Sequence, residues 1–164
     1  MAKQCLDGLG EIEGANIGFI YMTDALVEDM ESILTLLRGI TGIEDWVGSV
    51  GIGIIAGADE ILAEPAMALM VGHLPASSFH VFRRDARGFV DLSSSGPSVG
   101  GWLESHDAMA AIVHADPRDA ELPYLVTGTA ADTGAFLVGG LSSSRVALKQ
   151  VANKVWENGL SGVL

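Results

Sequence analysis

Cysteine is nearly absent: Cys5 is the only one in 164 residues. One thiol closes no disulfide within the chain and builds no cysteine-based metal cluster. Basic residues are scarce as well. Nine Lys and Arg stand against 21 Asp and Glu, a formal net charge of −12. Binding nucleic acid requires neutralising phosphates, so this balance argues against a nucleic-acid partner. It argues equally against docking on an anionic membrane surface. No apolar run approaches the roughly 18 residues needed to cross a bilayer, so no membrane insertion is expected. The first residues, Met-Ala-Lys-Gln-Cys-Leu-Asp, lack the apolar core of a secretory signal. The expected setting is the cytoplasm. Acids, bases, nucleophiles and metal-ligand types concentrate nowhere, so no cofactor is expected and a binding module is favoured over an enzyme.

What the chain does have is apolar bulk. Hydrophobic residues make up 49 %, mean hydropathy is +0.38, and only 18 % of residues are charged, below the usual quarter. This excess must be buried in sheets covered on both faces, in a protein–protein contact, or in both. The length suits one domain with a proper core.

Two short apolar strands carry unusual glycine and serine content. One spans 46–55, Trp-Val-Gly-Ser-Val-Gly-Ile-Gly-Ile-Ile; the other leads through 135–141 into Ser142, Ser143, Ser144 and Arg145. Glycine weakens a strand unless something approaches its backbone closely. The remaining chain reads as alternating strands and helices. Residues 1–14 form an irregular arm. Residues 17–22 make a buried strand, and Asp24 is placed to cap a helix over 24–38 whose Leu26, Met30, Ile33, Leu34 and Leu37 share a face. Gly39 or Gly42 ends it. Strands at 66–71 and 79–82, joined by a short loop, pair most simply as an antiparallel hairpin. A flexible Ser/Gly stretch at 93–98, a short helix at 99–103 and a strand at 110–114 follow. A helix at 121–132 starts with Pro123 in its first turn and ends at Gly134. One or two closing strands surround the turn 157–159, and no internal repeat is visible. The expected fold class is α/β, a mixed β-sheet covered by helices in a layered sandwich.

Several motifs invite chemical readings. Gly51-Ile-Gly-Ile-Ile-Ala56 matches the dinucleotide fingerprint on paper, but that mechanism needs a helix to start inside it, and β-branched residues favour strand. Val47-Gly-Ser-Val-Gly51 is an incomplete nucleophile elbow, because Val47 stands where the first glycine belongs. His114 and Asp116 close a strand, where open α/β sheets bind ligands; the plainer reading is a strand-end His before an Asp-Pro turn. His73, His80 and His106 lack metal spacing. Arg83, Arg84 and Arg87 read as a solvated patch. Gly139, Gly140, Ser142, Ser143, Ser144 and Arg145 are the sharpest candidates. Backbone N–H groups and hydroxyls there can surround a carboxylate, with Arg145 as a bidentate partner.

The order and spacing of Ala15-Asn-Ile-Gly-Phe-Ile-Tyr-Met-Thr-Asp24, Trp46-Val-Gly-Ser-Val-Gly51, Glu64-Pro-Ala-Met-Ala-Leu-Met70, His114-Ala-Asp-Pro117 and Phe136-Leu-Val-Gly-Gly-Leu-Ser142 resemble the N-terminal part of FIST-domain proteins. The resemblance covers nearly the whole chain from about residue 12 and rests on many modest motifs. It implies a sensory module of intracellular signal transduction that binds a small molecule such as an amino acid and works with a signalling output partner. By the same resemblance, Gly48, Ser49 and Gly51, together with Gly139, Gly140, Ser142 and Ser143, match Gly-rich segments implied in ligand contact; His114 and Asp116 fall on a further family-like segment. Residues 15–164 would be the FIST N-like domain, with the family's C-terminal partner domain absent. An end at Leu164 inside an apolar strand would leave an unpaired edge and promote a homo-oligomer. Two other readings compete: a hydrolase or transferase using Ser49 or Ser142 with His114 and Asp116, and a non-catalytic assembly module.

Overall fold

The structure, a computed structural model, describes residues 2–10, 12–75, 77–92 and 96–164. Two five-stranded sheets lie face to face, and each carries helices on its outer face. The first sheet has the order β11-β10-β2-β1-β5 (Lys154–Trp156, Gln150–Ala152, Asp45–Gly51, Ile17–Thr23 and Met67–Gly72). The second has the order β7-β6-β12-β8-β9 (Gly88–Val90, Val81–Asp85, Leu160–Val163, Ala110–Ala115 and Phe136–Leu141). A separate ribbon pairs β3 (Gly53–Ala56) with β4 (Asp59–Leu62).

The period-2 alternation of each strand divides the core into three layers. In β1, Ile20 and Met22 point outward to Val27, Met30, Leu34 and Leu37 on the first sheet's helical cover. Ile17 and Phe19 of the same strand point inward and meet Val47, Val81 and Val163 between the sheets. On the far side, Phe82, Val113 and Leu160 pack on Val99, Trp102 and Leu125. These last belong to the helices α3 (Val99–Leu103) and α4 (Leu122–Thr133). The layered α/β sandwich is therefore present, but built from two mixed sheets where a single one was expected.

The chain contains a structural repeat that its sequence hides. β1, α2 (Met30–Thr41) and β2 form a parallel strand–helix–strand unit; β8, α4 and β9 form another. Both helices end on a left-handed glycine, Gly42 (φ 71°) and Gly134 (φ 69°), whose N–H groups bond Arg38 and Ala130 carbonyls. A β-carbon on Gly48 would stand 1.8 Å from the Ile20 carbonyl oxygen, and one on Gly139 would stand 1.8 Å from that of Val113. Ile20 and Val113 are the register partners of these glycines, at matching places in the two units.

Several expectations need correction. The segment 66–82 forms no hairpin: β5 pairs with β1 in one sheet, and β6 with β12 in the other. Met67 joins the core under α2 and Phe82 the core under α4, so the two strands serve different layers. The strand 46–55 breaks at Ile52, where Gly51 and Gly53 come so close that a β-carbon on Gly51 would lie 2.7 Å from the Gly53 carbonyl oxygen. The helix expected over 24–38 is a 3-10 turn, Asp24–Asp29, followed by α2. The arm 1–14 includes a helix, α1 (Ala2–Gly8). The turn 157–159 is real, with Asn158 and Gly159 at φ 62° and 73°, yet it joins no hairpin. It carries the chain from one sheet to the other, and β10 pairs instead with β11. β12 is thus a buried middle strand, and the edge expected at the chain's end is not there. Of the Ser/Gly stretch 93–98, residues 93–95 lie outside the described residues; Ser98 caps α3 through the Gly101 N–H.

Candidate functional site

The inner faces of the two sheets are apolar toward one end of the sandwich and polar toward the other. Tyr21 follows Ile17 and Phe19 on the inner face of β1, and His114 follows Ile112 on the inner face of β8. Across the gap the Tyr21 hydroxyl and His114 Nε2 are 3.0 Å apart. Ser49 Oγ and Ser142 Oγ lie 2.6 Å apart and bridge the ends of β2 and β9. The loop after β9 is stitched to the first sheet: Ser143 N–H donates to the Val50 carbonyl, and Ser143 Oγ accepts from Ile52 N–H. Between these ties lies a hollow of about 340 Å³ lined by Tyr21, Ser49, Gly51, Gly53, His114, Gly139, Gly140, Leu141 and Ser143, with Val50 and Ile54. Bare main chain from both Gly-rich segments faces it. The volume falls within the range of small-molecule sites.

His114 is 4 % exposed, and its Nδ1 has no hydrogen-bond partner among the described residues. Burial holds its imidazole down at about 4, far below the ordinary value of 6.5, so the ring is neutral at pH 7. Burial also raises the Tyr21 phenol. Both polar groups at the floor of the hollow are uncharged.

The other candidates are placed differently. Gly48 is buried against Ile20 and does not line the hollow. Ser142 is buried beneath it, on Ser49. Ser144 turns away and accepts the Val146 and Ala147 N–H groups. Arg145 directs its guanidinium at buried Asp24, with Nε–Oδ2 at 2.8 Å and Nη2–Oδ1 at 2.6 Å, and its backbone N–H bonds the same carboxylate. Asp24 therefore acts as a buried counter-ion where a helix cap was expected. Asp116 accepts from the backbone and side chain of Arg118, which makes it a turn residue. Burial pushes its carboxyl up, but those bonds hold it below the ordinary value. Neither serine bonds His114 among the described hydrogen bonds, since Nε2 is engaged by Tyr21 and the hydroxyls by each other. Tyr21 was missed from sequence. A tyrosine on the inner face of an otherwise apolar strand was the available signal, because a buried phenol needs a partner.

Further cavities lie elsewhere among the described residues. One of about 440 Å³ sits beyond the opposite end of β2, among Asp45, Phe79, His80, Asp91, Trp102 and His106. The other, about 500 Å³, lies around Ser105, Met109 and Leu164. Neither touches the Gly-rich segments. No group of three or more metal-ligating side chains occurs among the described residues.

The model of the FIST N domain matches residues 16–164, all of the chain but its first 15 residues. The chain belongs to the FIST N domain family. This family is a sensory domain of signal transduction proteins. No curated protein and no solved structure matches the chain. In this FIST N domain no helix among the described residues is long and apolar enough to cross a membrane.

Proposed function

We propose that this FIST N domain senses a small molecule of amino-acid size held in the hollow between the ends of β2 and β9. The observation that carries this reading is the convergence of two bare Gly-rich segments, from separate sheets, on one cavity, with a buried imidazole in its lining whose Nδ1 has no hydrogen-bond partner among the described residues. A purely structural core would fill such a space. The setting is cytoplasmic, and occupancy is passed to a signalling output partner. The nucleophile reading gains nothing comparable, because the serines and His114 are bonded to other groups.

Gly140 supplies a clean test, since a β-carbon there meets nothing within 4 Å. Gly140→Val fills the hollow without straining the fold. In a thermal-shift screen of amino acids and similar metabolites, a compound at about 100 times its Kd adds about 2.7 kcal/mol, several degrees in Tm. That shift is expected to vanish in Gly140→Val. Retention of the full shift would place the binder elsewhere.

Self-association belongs to the same reading, along the outer edge of β9. Phe136 there is 72 % exposed and Leu141 60 %, and among the described residues the strand pairs with β8 alone. Sedimentation at micromolar concentration should show an oligomer that Phe136→Glu converts to monomer; a monomeric wild type would contradict this.

A further inference from the structure

Two carboxylates, Asp45 and Asp91, line the cavity of about 440 Å³ at the far end of β2. Asp45, Val47 and Ser49 alternate onto the inner face of that strand. Ser49 reaches the hollow at one end, and Asp45 reaches this cavity at the other. Asn153 orients Asp45: its Nδ2 donates to Asp45 Oδ1 at 2.7 Å, while its own Oδ1 accepts from the Trp46 N–H. Asp45 Oδ2 has no hydrogen-bond partner among the described residues. Asp91 is exposed, and Asp45 is partly so. Neither forms an ion pair among the described residues, and no Lys or Arg among them lines the cavity. His80, which also lines it, feels both carboxylates, but burial outweighs them and holds its imidazole below the ordinary 6.5. At pH 7 that ring is mostly uncharged and offsets neither acid.

The rest of the wall is largely apolar and aromatic. Trp102 stacks on His106 with ring centroids 4.6 Å apart, lies 5.9 Å from the His80 ring, and shares the cavity with Phe79. Two negative charges beside aromatic rings, in a chain of net charge −12, suit a positive guest with an apolar body. A bare metal ion is a poor match, because no group of three or more metal-ligating side chains occurs among the described residues. An amino acid is a poor match as well, since its own carboxylate would face Asp45 and Asp91. We propose that this cavity is a second binding site, for a small organic cation of the arylalkyl ammonium type. The ammonium group lies by Asp45 and Asp91, and the ring lies against Phe79 and Trp102. The site is separate from the hollow and stands or falls without it.

The test uses three probes that share one ring and differ in charge: benzylamine, benzyl alcohol and benzoate. Each is titrated at pH 7 into the full chain and read from the Trp102 indole N–H and the backbone amides of Phe79 and His80. Benzylamine should move them with a Kd at least tenfold lower than either other probe. Asp45→Asn and Asp91→Asn should each weaken benzylamine at least threefold. Asp91 is exposed, so its variant keeps the test available should Asp45→Asn, which disturbs the Asn153 contact, fail to fold. Gly140→Val, which fills the hollow, should bind benzylamine like wild type. The proposal is overturned if benzyl alcohol or benzoate binds as tightly as benzylamine, if both Asp variants bind benzylamine like wild type, or if benzylamine leaves the three resonances unmoved. Displacement of benzylamine by equimolar Mg²⁺ would make this a metal site and overturn it equally. None of these results touches the reading of the hollow, which the metabolite screen on wild type and Gly140→Val decides.

Discussion

Gly139→Ala is expected to cost more than about 3 kcal/mol, the upper end of what overpacking does, and so to remove a large share of the domain's stability. The new methyl would stand 1.8 Å from the Val113 carbonyl oxygen and within 3 Å of two more backbone atoms of Val113. A flexible side chain could swing away, but a backbone carbonyl in the middle of a parallel strand pair cannot do so without breaking the pairing. The φ of 154° at Gly139 adds strain for any residue with a β-carbon. Gly48→Ala should behave alike, because its methyl would meet the Ile20 carbonyl oxygen at the same 1.8 Å in the first strand–helix–strand unit. Gly140→Ala, one residue away with open space around it, should stay within about 0.5 kcal/mol of wild type. Urea denaturation of the three variants measures this. Equal stability of Gly139→Ala and Gly140→Ala would mean that the strands do not approach as described.

The second large effect concerns the ion pair of Asp24 and Arg145. The Asp24 side chain is 1 % exposed, and hydrogen bonds from the Arg145 side chain, then from its backbone N–H, lower its carboxyl from 3.8 to about 2. A carboxyl lowered on folding stabilises the fold fully above its unfolded value, and that contribution fades as pH falls from 3.8 through 2. Arg145→Ala leaves the buried carboxylate without its partner, so Tm at pH 7 should drop by about 5 °C or more. Its acid limb between pH 4 and 2 should also flatten, while Arg145→Lys restores only part of the loss because an ammonium lacks the fork. His114 acts in a separate window. Its proton affinity is lowered on folding by burial, so stability declines as pH falls from 6.5 toward 4. Burial lowers His80 in the same direction, so the informative quantity is the difference between wild type and His114→Gln. The upper window should persist in Arg145→Ala and shrink in His114→Gln. An Arg145→Ala protein as stable as wild type at pH 7 would contradict the pair's role.

Local pattern carried much of this far. The strand at 17–22, the helix at 121–132 and the Gly-Ser segments were readable because each rests on short-range signals: apolar runs, Pro123 in a first turn, Gly134 as a stop. The partition into two sheets was not readable. Whether β5 and β6 pair with each other depends on which core each strand completes, and Met67 and Phe82 look equally apolar in the sequence. The repeat was hidden for a related reason. Its two units share a topology and a pinched glycine, but Tyr21 occupies in one the inward position that His114 holds in the other. At the site, the glycines and His114 could be anticipated from composition at strand ends. The fate of Arg145 could not, because its partner Asp24 lies 121 residues away, and a lone acid beside an apolar run reads as a helix cap. Tyr21 was overlooked because its partner His114 comes from the other sheet.

One measurement bears most directly on the claim that a guest occupies the space between the Gly-rich ends of β2 and β9. Amide spectra of the labelled chain are recorded during the metabolite screen, with Gly140→Val alongside. The account predicts that a binding compound shifts Gly51, Gly53, Gly139 and Gly140 together, leaves Phe79, Val99 and Trp102 at the far cavity unmoved, and loses its effect in the variant. Binding compounds that perturb only the Trp102 end, or shifts that survive intact in Gly140→Val, would contradict it.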